Sequence, residues 1–256
     1  MAEKNLTRQD IDHYLYLIAR EYKKANRTNP ECEIVIVGGA SVMLNYNFRE
    51  GTTDIDSVLQ ASSVMKDIIN KVGDENELPT GWINEDFKKT SSYSDKLIEH
   101  SKYYKTFCGC LNVRTVTGEY LLAMKLRSYR EYKHDMSDII GIIKEQKEFG
   151  FPLSIDTIQN AFFELYDEEI NPELLKVVKQ YLDSDDLEEV LYDIRNKEKT
   201  LKVKLTEFES KYPDVLNESN LKEIIDKFDT QPSVEKSELE ESEEDKLIQT
   251  DYDDNR

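Results

Sequence analysis

The sequence predicts an α+β protein in which a small mixed β-sheet with helices is followed by a helical region. Two observations favour this fold. Short β-branched runs alternate with segments of helical periodicity up to about residue 117, whereas the spacing of apolar residues beyond it is helical almost throughout. We therefore predict a core of four or five strands within 1–117, a helical C-terminal region over 118–230 and a disordered acidic tail over 231–256.

The first part of the chain predicts alternating helices and strands. Apolar residues recur at helical spacing in three segments, and β-branched runs typical of buried strands lie between them. In chain order we predict a helix, a strand, a short helix, a strand and a helix, covering residues 15–22, 34–37, 40–48, 55–59 and 63–72.

The next part of the chain completes the sheet and begins the helical region. Residues 107–116 alternate between apolar and polar side chains well enough for one or two strands, and Thr117 and Gly118 turn the chain. From Glu119 to Lys147 the pattern is helical, with a break predicted near 134–137. Further helical segments follow, the last of them a solvated helix over 187–212.

The charge is strongly negative and unevenly distributed. The chain of 256 residues has a formal net charge of −19, and residues 231–256 hold ten Asp or Glu against three Lys or Arg. That tail therefore accounts for −7 and leaves −12 on residues 1–230. It buries too little apolar surface to offset the entropy of ordering it, about 1–2 kcal/mol per residue, so we predict disorder. The net charge also opposes casual binding to nucleic acid, because affinity for phosphates comes from Lys and Arg.

The remaining composition predicts a soluble, cytoplasmic protein without membrane partners. No run approaches the roughly 18 apolar residues that span a bilayer, and residues 1–12 hold no apolar run typical of a signal sequence. Cys32, Cys108 and Cys110 are too few for a disulfide framework. We predict buried thiols, with Cys108 and Cys110 on a strand, and three scattered histidines supply too few further ligands for a zinc site.

The segment that points to chemistry joins a Gly-Gly turn to a pair of carboxylates. A predicted buried strand leads into Gly38 and Gly39, and Asp54-Ile55-Asp56 follows. Glycines let the backbone approach a phosphate closely, and the N-terminus of the next helix offers free N–H groups. Asp54 and Asp56 alternate around Ile55, so both carboxylates face one side of a strand. Two such groups repel each other unless a cation lies between them, and they suit Mg²⁺ or Mn²⁺ carrying nucleotide phosphates. The alternative interpretation is a tight turn and a surface Asp pair.

The segment 37–59 resembles the first motif of the polymerase-β-like nucleotidyltransferase superfamily, in which a Gly-Gly or Gly-Ser turn precedes an Asp-x-Asp pair. In finer detail, Gly38-Gly39-Ala40, Arg49 and Thr52-Thr53-Asp54-Ile55-Asp56 resemble bacterial families related to the abortive-infection toxin AbiEii and to small uncharacterised nucleotidyltransferases.

A second block is also similar to these families. It consists of a Lys-bearing helix, residues 121–127, and an Asp-bearing stretch, residues 135–139, while Trp82-Ile83-Asn84 is similar to a looser third feature. The resemblance covers about residues 34–143.

The resemblance implies a metal-dependent enzyme that moves a nucleoside monophosphate from an NTP to a hydroxyl acceptor on RNA, such as a tRNA, or on a protein. It further implies a toxin or phage-defence role, with an antitoxin protein as partner. The residues that it implicates are Asp54 and Asp56 as metal ligands and catalytic residues, Gly38, Gly39 and Ser41 at the triphosphate, Arg49 at the phosphates or bracing the loop, Lys125 as a catalytic residue that reaches a phosphate or the nucleotide, and Asp138 as a catalytic residue that orients Lys125 or an arginine.

Some of these roles have alternatives. Lys125 can lie instead on the solvated face of a helix that buries Leu122, Leu126 and Tyr129, and Asp135 can take the role of Asp138. Many superfamily members carry a third carboxylate that activates the acceptor hydroxyl, and we assign its position to Asn112, which cannot accept a proton. Gly39 also stands where many members have Ser.

These departures leave other functions open. The chain can be a catalytically inactive module that binds a nucleotide or a protein, or an antibiotic-modifying nucleotidyltransferase whose acidic surface suits a cationic aminoglycoside. An RNA acceptor would require a local basic groove despite the net charge. The cations available for it lie in the middle third of the chain: Lys88, Lys89, Lys102, Lys105, Arg114, Lys125, Arg127, Arg130 and Lys133.

Overall fold

The computed structural model describes residues 5–27, 31–59, 63–130, 132–217 and 220–230. A five-stranded mixed sheet with helices around it confirms the predicted α+β fold. The predicted acidic tail, residues 231–256, lies outside the described residues. The strands β1 to β5 are Cys32–Ile36, Ile55–Leu59, Ile83–Asn84, Ser101–Phe107 and Leu111–Val116.

The sheet has the strand order β3-β2-β1-β5-β4. Strand β1 lies at its centre, antiparallel to β2 and parallel to β5. Strand β3 extends β2 in parallel, and β4 closes the other edge antiparallel to β5. The helices α1 to α9 of the described chain are Arg8–Ala25, Gly38–Asn45, Ser63–Glu75, Gly118–Ser128, Asp135–Glu148, Ile155–Tyr166, Pro172–Leu182, Leu187–Lys211 and Leu221–Thr230.

The sheet is covered on both faces, which explains the continuous apolar run in β1. Ile34 and Ile36 belong to a buried cluster with residues of α1 and α3. The alternate residues Val35 and Val37 belong to a second cluster with residues of α4, α5 and α6. Because both faces of β1 are buried, its C-terminal end is held rigidly, and the turn that follows it has a fixed position.

The chain divides into two compact units, residues 1–198 and 199–256. The first contains the sheet, α1 to α7 and the beginning of α8. In the second, Leu205 and Ile225 are buried, and the rings of Phe208 and Phe228 meet edge to face with centroids 6.2 Å apart. The predicted domain boundaries at 117 and 230 stay predictions. Within the described ranges, no helix combines the length and the apolarity that crossing a bilayer requires.

The structure corrects three predicted features. Strand β4 begins at Ser101, ahead of the predicted strand region, because it is an edge strand whose Lys and Tyr side chains are largely exposed and lack an apolar pattern. The helical break lies between Ser128 and Asp135, so it meets the break predicted near 134–137 only at His134 and otherwise precedes it. Cys108 and Cys110 lie in the turn between β4 and β5, and Cys110 alone of the three cysteines is fully buried.

Candidate active site

The Gly-Gly turn lies directly against the carboxylate pair. Gly38 has φ +60°, in the left-handed region that favours glycine, and a Cβ there would lie 2.9 Å from Oδ2 of Asp56. The N–H of Val37 donates to the carbonyl of Asp56 at 2.9 Å, which ties the end of β1 to the beginning of β2. A side chain at position 38 would therefore collide with Asp56, and glycine lets the backbone of the turn lie directly against this carboxylate.

Asp54 and Asp56 line one open cleft together with Gly38 and Gly39. The cleft has a volume of about 250 Å³ and is bounded on its other side by α4. Both carboxylates are partly buried. Burial and the neighbouring charge of Asp54 raise the pKa of Asp56 to about 6, although Lys125, Arg130 and Lys133 oppose this. A carboxylate pair in which one member is hard to ionise is the environment that a bound divalent cation would relieve.

The chemistry of this donor set fits Mg²⁺ or Mn²⁺. Asp54 and Asp56 supply hard anionic oxygens, and both line the open cleft beside Gly38. Among the described residues no group of three or more His, Cys, Asp or Glu side chains is arranged to hold a metal. The protein would therefore contribute two ligands, and phosphate oxygens and water would supply the others, as is usual for Mg²⁺ bound with a nucleotide.

The position of the third carboxylate falls on Asn84 and not on Asn112. Asn84 of β3 is the register partner of Asp56 on β2, so it lies beside the pair and lines the same cleft. Asn112 pairs with Glu33 near the other end of β1, so our assignment was wrong. Asn84 accepts a hydrogen bond from the backbone N–H of Asp86 at 2.8 Å, and Asp86 also lines the cleft.

A buried ionic cluster supports the wall of the cleft. Nζ of Lys125 on α4 lies 2.8 Å from Oδ1 of Asp135 and 2.8 Å from Oδ2 of Asp138, both in the first turn of α5. Arg49 forms an ion pair with the same oxygen of Asp138, and Nε of Arg130 donates to Asp135 at 2.9 Å. The predicted alternatives Asp138 and Asp135 therefore both contact Lys125.

Lys125 is neither solvated nor a free cation. It is 8% exposed, which contradicts the alternative of a solvated helix face. Burial lowers its pKa, but the charges of Asp138 and Asp135 raise the pKa more, so the net shift is upward and the side chain stays protonated. Burial raises the pKa of Asp135, but the charges of Lys125 and Arg130 hold this pKa well below its usual range. Lys125 still lines the cleft, where its charge faces the carboxylate pair.

Two predicted phosphate contacts lie elsewhere. Ser41 is fully buried, and its hydroxyl accepts a hydrogen bond from the N–H of Val116 at 3.1 Å, so it joins α2 to β5 and does not line the cleft. Arg49 braces the turn, which is one of its two predicted roles: it donates to the carbonyl of Gly51 and to Asp138, and its guanidinium packs on Gly39.

The packing of Arg49 predicts the effect of Gly39→Ser, the residue that many superfamily members carry. A Cβ at Gly39 would lie 2.5 Å from Nη2 of Arg49 and 2.8 Å from its Cζ. Arg49 would have to leave its place beside Asp138, so we expect a loss of about 1–3 kcal/mol in the free energy of unfolding. Chemical denaturation of Gly39→Ser, Arg49→Ala and the double variant measures this. Gly39→Ser should lower the free energy of unfolding much less in the Arg49→Ala background. Losses that simply add in the double variant would contradict a clash between a side chain at position 39 and Arg49.

Sequence reasoning did not assign several residues of the cleft to the site. We predicted Arg130 and Lys133 only as cations of a basic groove and did not single out Asp86, but all three line the cleft. Their signal is weak because they follow α4 and β3 in loops or short turns without periodicity. The cleft residues other than the predicted pair and glycines are Val37, Asn84, Asp86, Phe87, Thr90, Ser92, Leu121, Met124, Lys125, Ser128, Arg130 and Lys133.

A mixed sheet whose central strand leads into a Gly-Gly turn, with two carboxylates facing that turn from the next strand, has the architecture of a nucleotidyltransferase. In a comparison with protein families, residues 13–164 match the family described as nucleotidyltransferase of unknown function (DUF6036). The chain belongs to this family. Neither the curated proteins nor the solved structures contain a match. The finer similarity to the AbiEii-related families stays a prediction.

Proposed function

We propose that the protein transfers a nucleoside monophosphate from an NTP to a hydroxyl acceptor, with a divalent cation held by Asp54 and Asp56. The observation that carries this proposal is the placement of both carboxylates against the Gly38-Gly39 turn in one cleft. The raised pKa of Asp56 adds to it, because the pair is arranged to need a counter-ion. Membership of a nucleotidyltransferase family makes this class of reaction the expected one.

The residues of the cleft have different roles toward the donor, according to their positions. The backbone of the Gly-Gly turn, at the N-terminus of α2, suits the phosphates of the donor. Lys133, exposed at the cleft, and Arg130 are placed to contact the same phosphates. A bound divalent cation would neutralise charge as pyrophosphate leaves. Lys125, held by Asp135 and Asp138, adds a fixed positive charge to the wall without being free to move.

The cleft offers no dedicated base for the proton of the acceptor hydroxyl at the position of Asn84. Asn84 can accept a hydrogen bond through Oδ1 but cannot take a proton. Among the described residues of the cleft, the carboxylates Asp54, Asp56 and Asp86 are the groups that can receive it. The same asparagine favours a second candidate function, a non-catalytic module that binds a nucleotide.

The test is transfer of label from each of the four α-³²P-NTPs, with Mg²⁺ or Mn²⁺, to total RNA and total protein. We expect one donor to label an acceptor, and we expect Asp54→Asn and Asp56→Asn each to lower the rate at least about a hundredfold, because each removes charge from the site that stabilises the leaving group. Asp67→Asn, an exposed carboxylate on α3, is the matched control and should leave the rate unchanged.

Two results would count against transfer. Label that persists in both Asp54→Asn and Asp56→Asn would remove the pair from the reaction. No label with any donor, together with NTP binding that requires the intact pair, would establish the binding module instead. Calorimetric titration with a non-hydrolysable NTP analogue separates these outcomes.

A toxin or phage-defence role, with an antitoxin as partner, belongs to this proposal only through the resemblance of the motifs. Such a role would show as growth arrest of cells that express this protein. If transfer causes that arrest, Asp54→Asn should relieve it while the variant accumulates to the same level.

A further inference from the structure

We infer that the acceptor is a hydroxyl on a protein surface with basic neighbours, and not an RNA. This inference rests on the proposed transfer reaction and names the substrate class of the same site. It is carried by the ion pairs of the cations that an RNA would need, by the charge of the cleft and by the size of the cleft.

Most of the cations that might have formed a basic groove are already paired with carboxylates. Each pair brings a negative charge next to the positive one, so an approaching phosphate chain must displace a carboxylate before it gains from the cation. Six of the nine are paired in this way: Lys88 with Glu85, Lys89 with Asp86, Lys105 with Asp12, Lys125 with Asp135 and Asp138, Arg127 with Glu168, and Arg130 with Asp135.

The other three cations do not form a groove. Arg114 on β5 donates to the hydroxyl and the carbonyl of Ser101, so it is used within the sheet. Lys102 is exposed on the edge strand β4 and does not line the cleft. Lys133 lines the cleft, where the donor phosphates would occupy it first. These three cations therefore do not form a row that leads from the surface into the cleft.

Asp86 is the exposed carboxylate of the cleft. Asp54 and Asp56 lie inside it, and the side chain of Asp86 is 74% exposed at its margin. The ion pair of Asp86 with Lys89 is an exposed pair three residues apart, which is weak and exchanges easily for another cation. A bound NTP would add negative charge. Because the donor phosphates would occupy Lys133 and Arg130, the exposed charge left at the cleft is that of Asp86, which attracts a segment with Lys or Arg beside its hydroxyl and not an RNA backbone.

The size of the cleft favours a macromolecular acceptor over a small one. Its volume of about 250 Å³ is at or below the range usual for a single small-molecule site, roughly 300–1,000 Å³. The nucleotide would occupy most of it. An acceptor must therefore reach the donor from outside the cleft and contact the surrounding surface, as a protein side chain does.

The experiment uses the full chain, the labelling donor identified above and a cell extract that contains both protein and RNA. The labelled product is divided and treated with ribonuclease or with protease. We expect label that protease makes acid-soluble and that ribonuclease leaves in place. Label removed by ribonuclease, or label found in the small-molecule fraction, would overturn the inference and leave the transfer reaction intact. Absence of label from every fraction would instead overturn the transfer reaction and this inference with it.

A pair of charge-reversal variants tests the role of the acidic margin. Asp86→Lys should lower the rate of protein labelling about five- to tenfold below that of Asp86→Asn, with little change in NTP affinity, because both variants remove the carboxylate but only lysine adds a charge that repels a basic acceptor. Glu173→Lys is the matched control, since Glu173 is also an exposed carboxylate paired with a lysine three residues away, on α7, and it should change neither quantity. Equal rates for Asp86→Lys and Asp86→Asn, or a faster rate for Asp86→Lys, would contradict a basic acceptor.

Discussion

Replacing Lys125 by methionine should lower the free energy of unfolding by about 3–5 kcal/mol, the loss expected when one partner of a buried ionic cluster is removed. The reason is that Asp135 and Asp138 are both buried, at 0% and 1% exposed, and each lies 2.8 Å from the ammonium group. Methionine fills most of the volume but leaves Asp135 and Asp138 with Arg130 and Arg49 as their ion-pair partners. Denaturant titration followed by circular dichroism measures the change.

Two further variants show whether the loss is electrostatic. Lys176→Met removes an exposed lysine that pairs with Glu173, and its effect should stay below about 1 kcal/mol. Combining Lys125→Met with Asp138→Asn removes one of the two buried carboxylates that lost the lysine. The double variant should therefore be more stable than Lys125→Met alone. If Lys125→Met unfolds at the same denaturant concentration as the wild type, the cluster does not depend on this lysine.

Replacing Asp56 by asparagine should stabilise the metal-free protein at pH 8, by about 3 kcal/mol at most. Burial and Asp54 raise the pKa of Asp56 from 3.8 to about 6 in the folded chain. The fold therefore favours the protonated form, and its stabilising contribution is complete below pH 3.8 and lost as the pH rises to about 6. Asparagine is neutral at every pH, so it avoids this loss. Near pH 5 the advantage should fall to about half its value at pH 8.

Thermal unfolding in EDTA, at pH 8 and at pH 5, measures the difference. A gain of about 3 kcal/mol corresponds to roughly 6–12 °C in Tm for a chain of this size. Asp67→Asn, on an exposed position of α3, should shift Tm little at either pH. Mg²⁺ or Mn²⁺ should stabilise the wild type and not Asp56→Asn, because only the wild type keeps both carboxylates. A less stable Asp56→Asn variant at pH 8 would contradict the raised pKa.

The sequence predicted the parts of the site that depend on neighbouring residues. Gly38, Gly39, Asp54 and Asp56 belong to one strand–turn–helix–strand segment, so the alternation of a strand and the freedom of glycine suffice to place them. The fold class followed from the same periodicities. Asp138 was assigned to Lys125 or an arginine, and it contacts both Lys125 and Arg49.

The parts that the sequence did not predict depend on how distant segments meet. Asn84 lies beside Asp56 because β3 pairs with β2 in parallel, and a two-residue strand leaves almost no periodic signal. Ser41 has a residue type suited to phosphate, but the face of α2 on which it lies is buried against β5. Whether a cation is free or already paired also depends on the tertiary fold, which is why nine candidates for a groove could not be sorted beforehand.

The ion pair between Arg49 and Asp138 joins residues 89 positions apart in the chain. The support of the Gly-Gly turn is therefore unfinished when β1, α2 and β2 have left the ribosome. It is completed only after the first turn of α5 has been synthesised and has docked, since Asp138 contributes both to Arg49 and to Lys125. During synthesis Asp54 and Asp56 emerge early, but the candidate site gains this support late. A nascent chain would then lack this support until Asp138, more than halfway along its first unit, has been synthesised and α5 has docked.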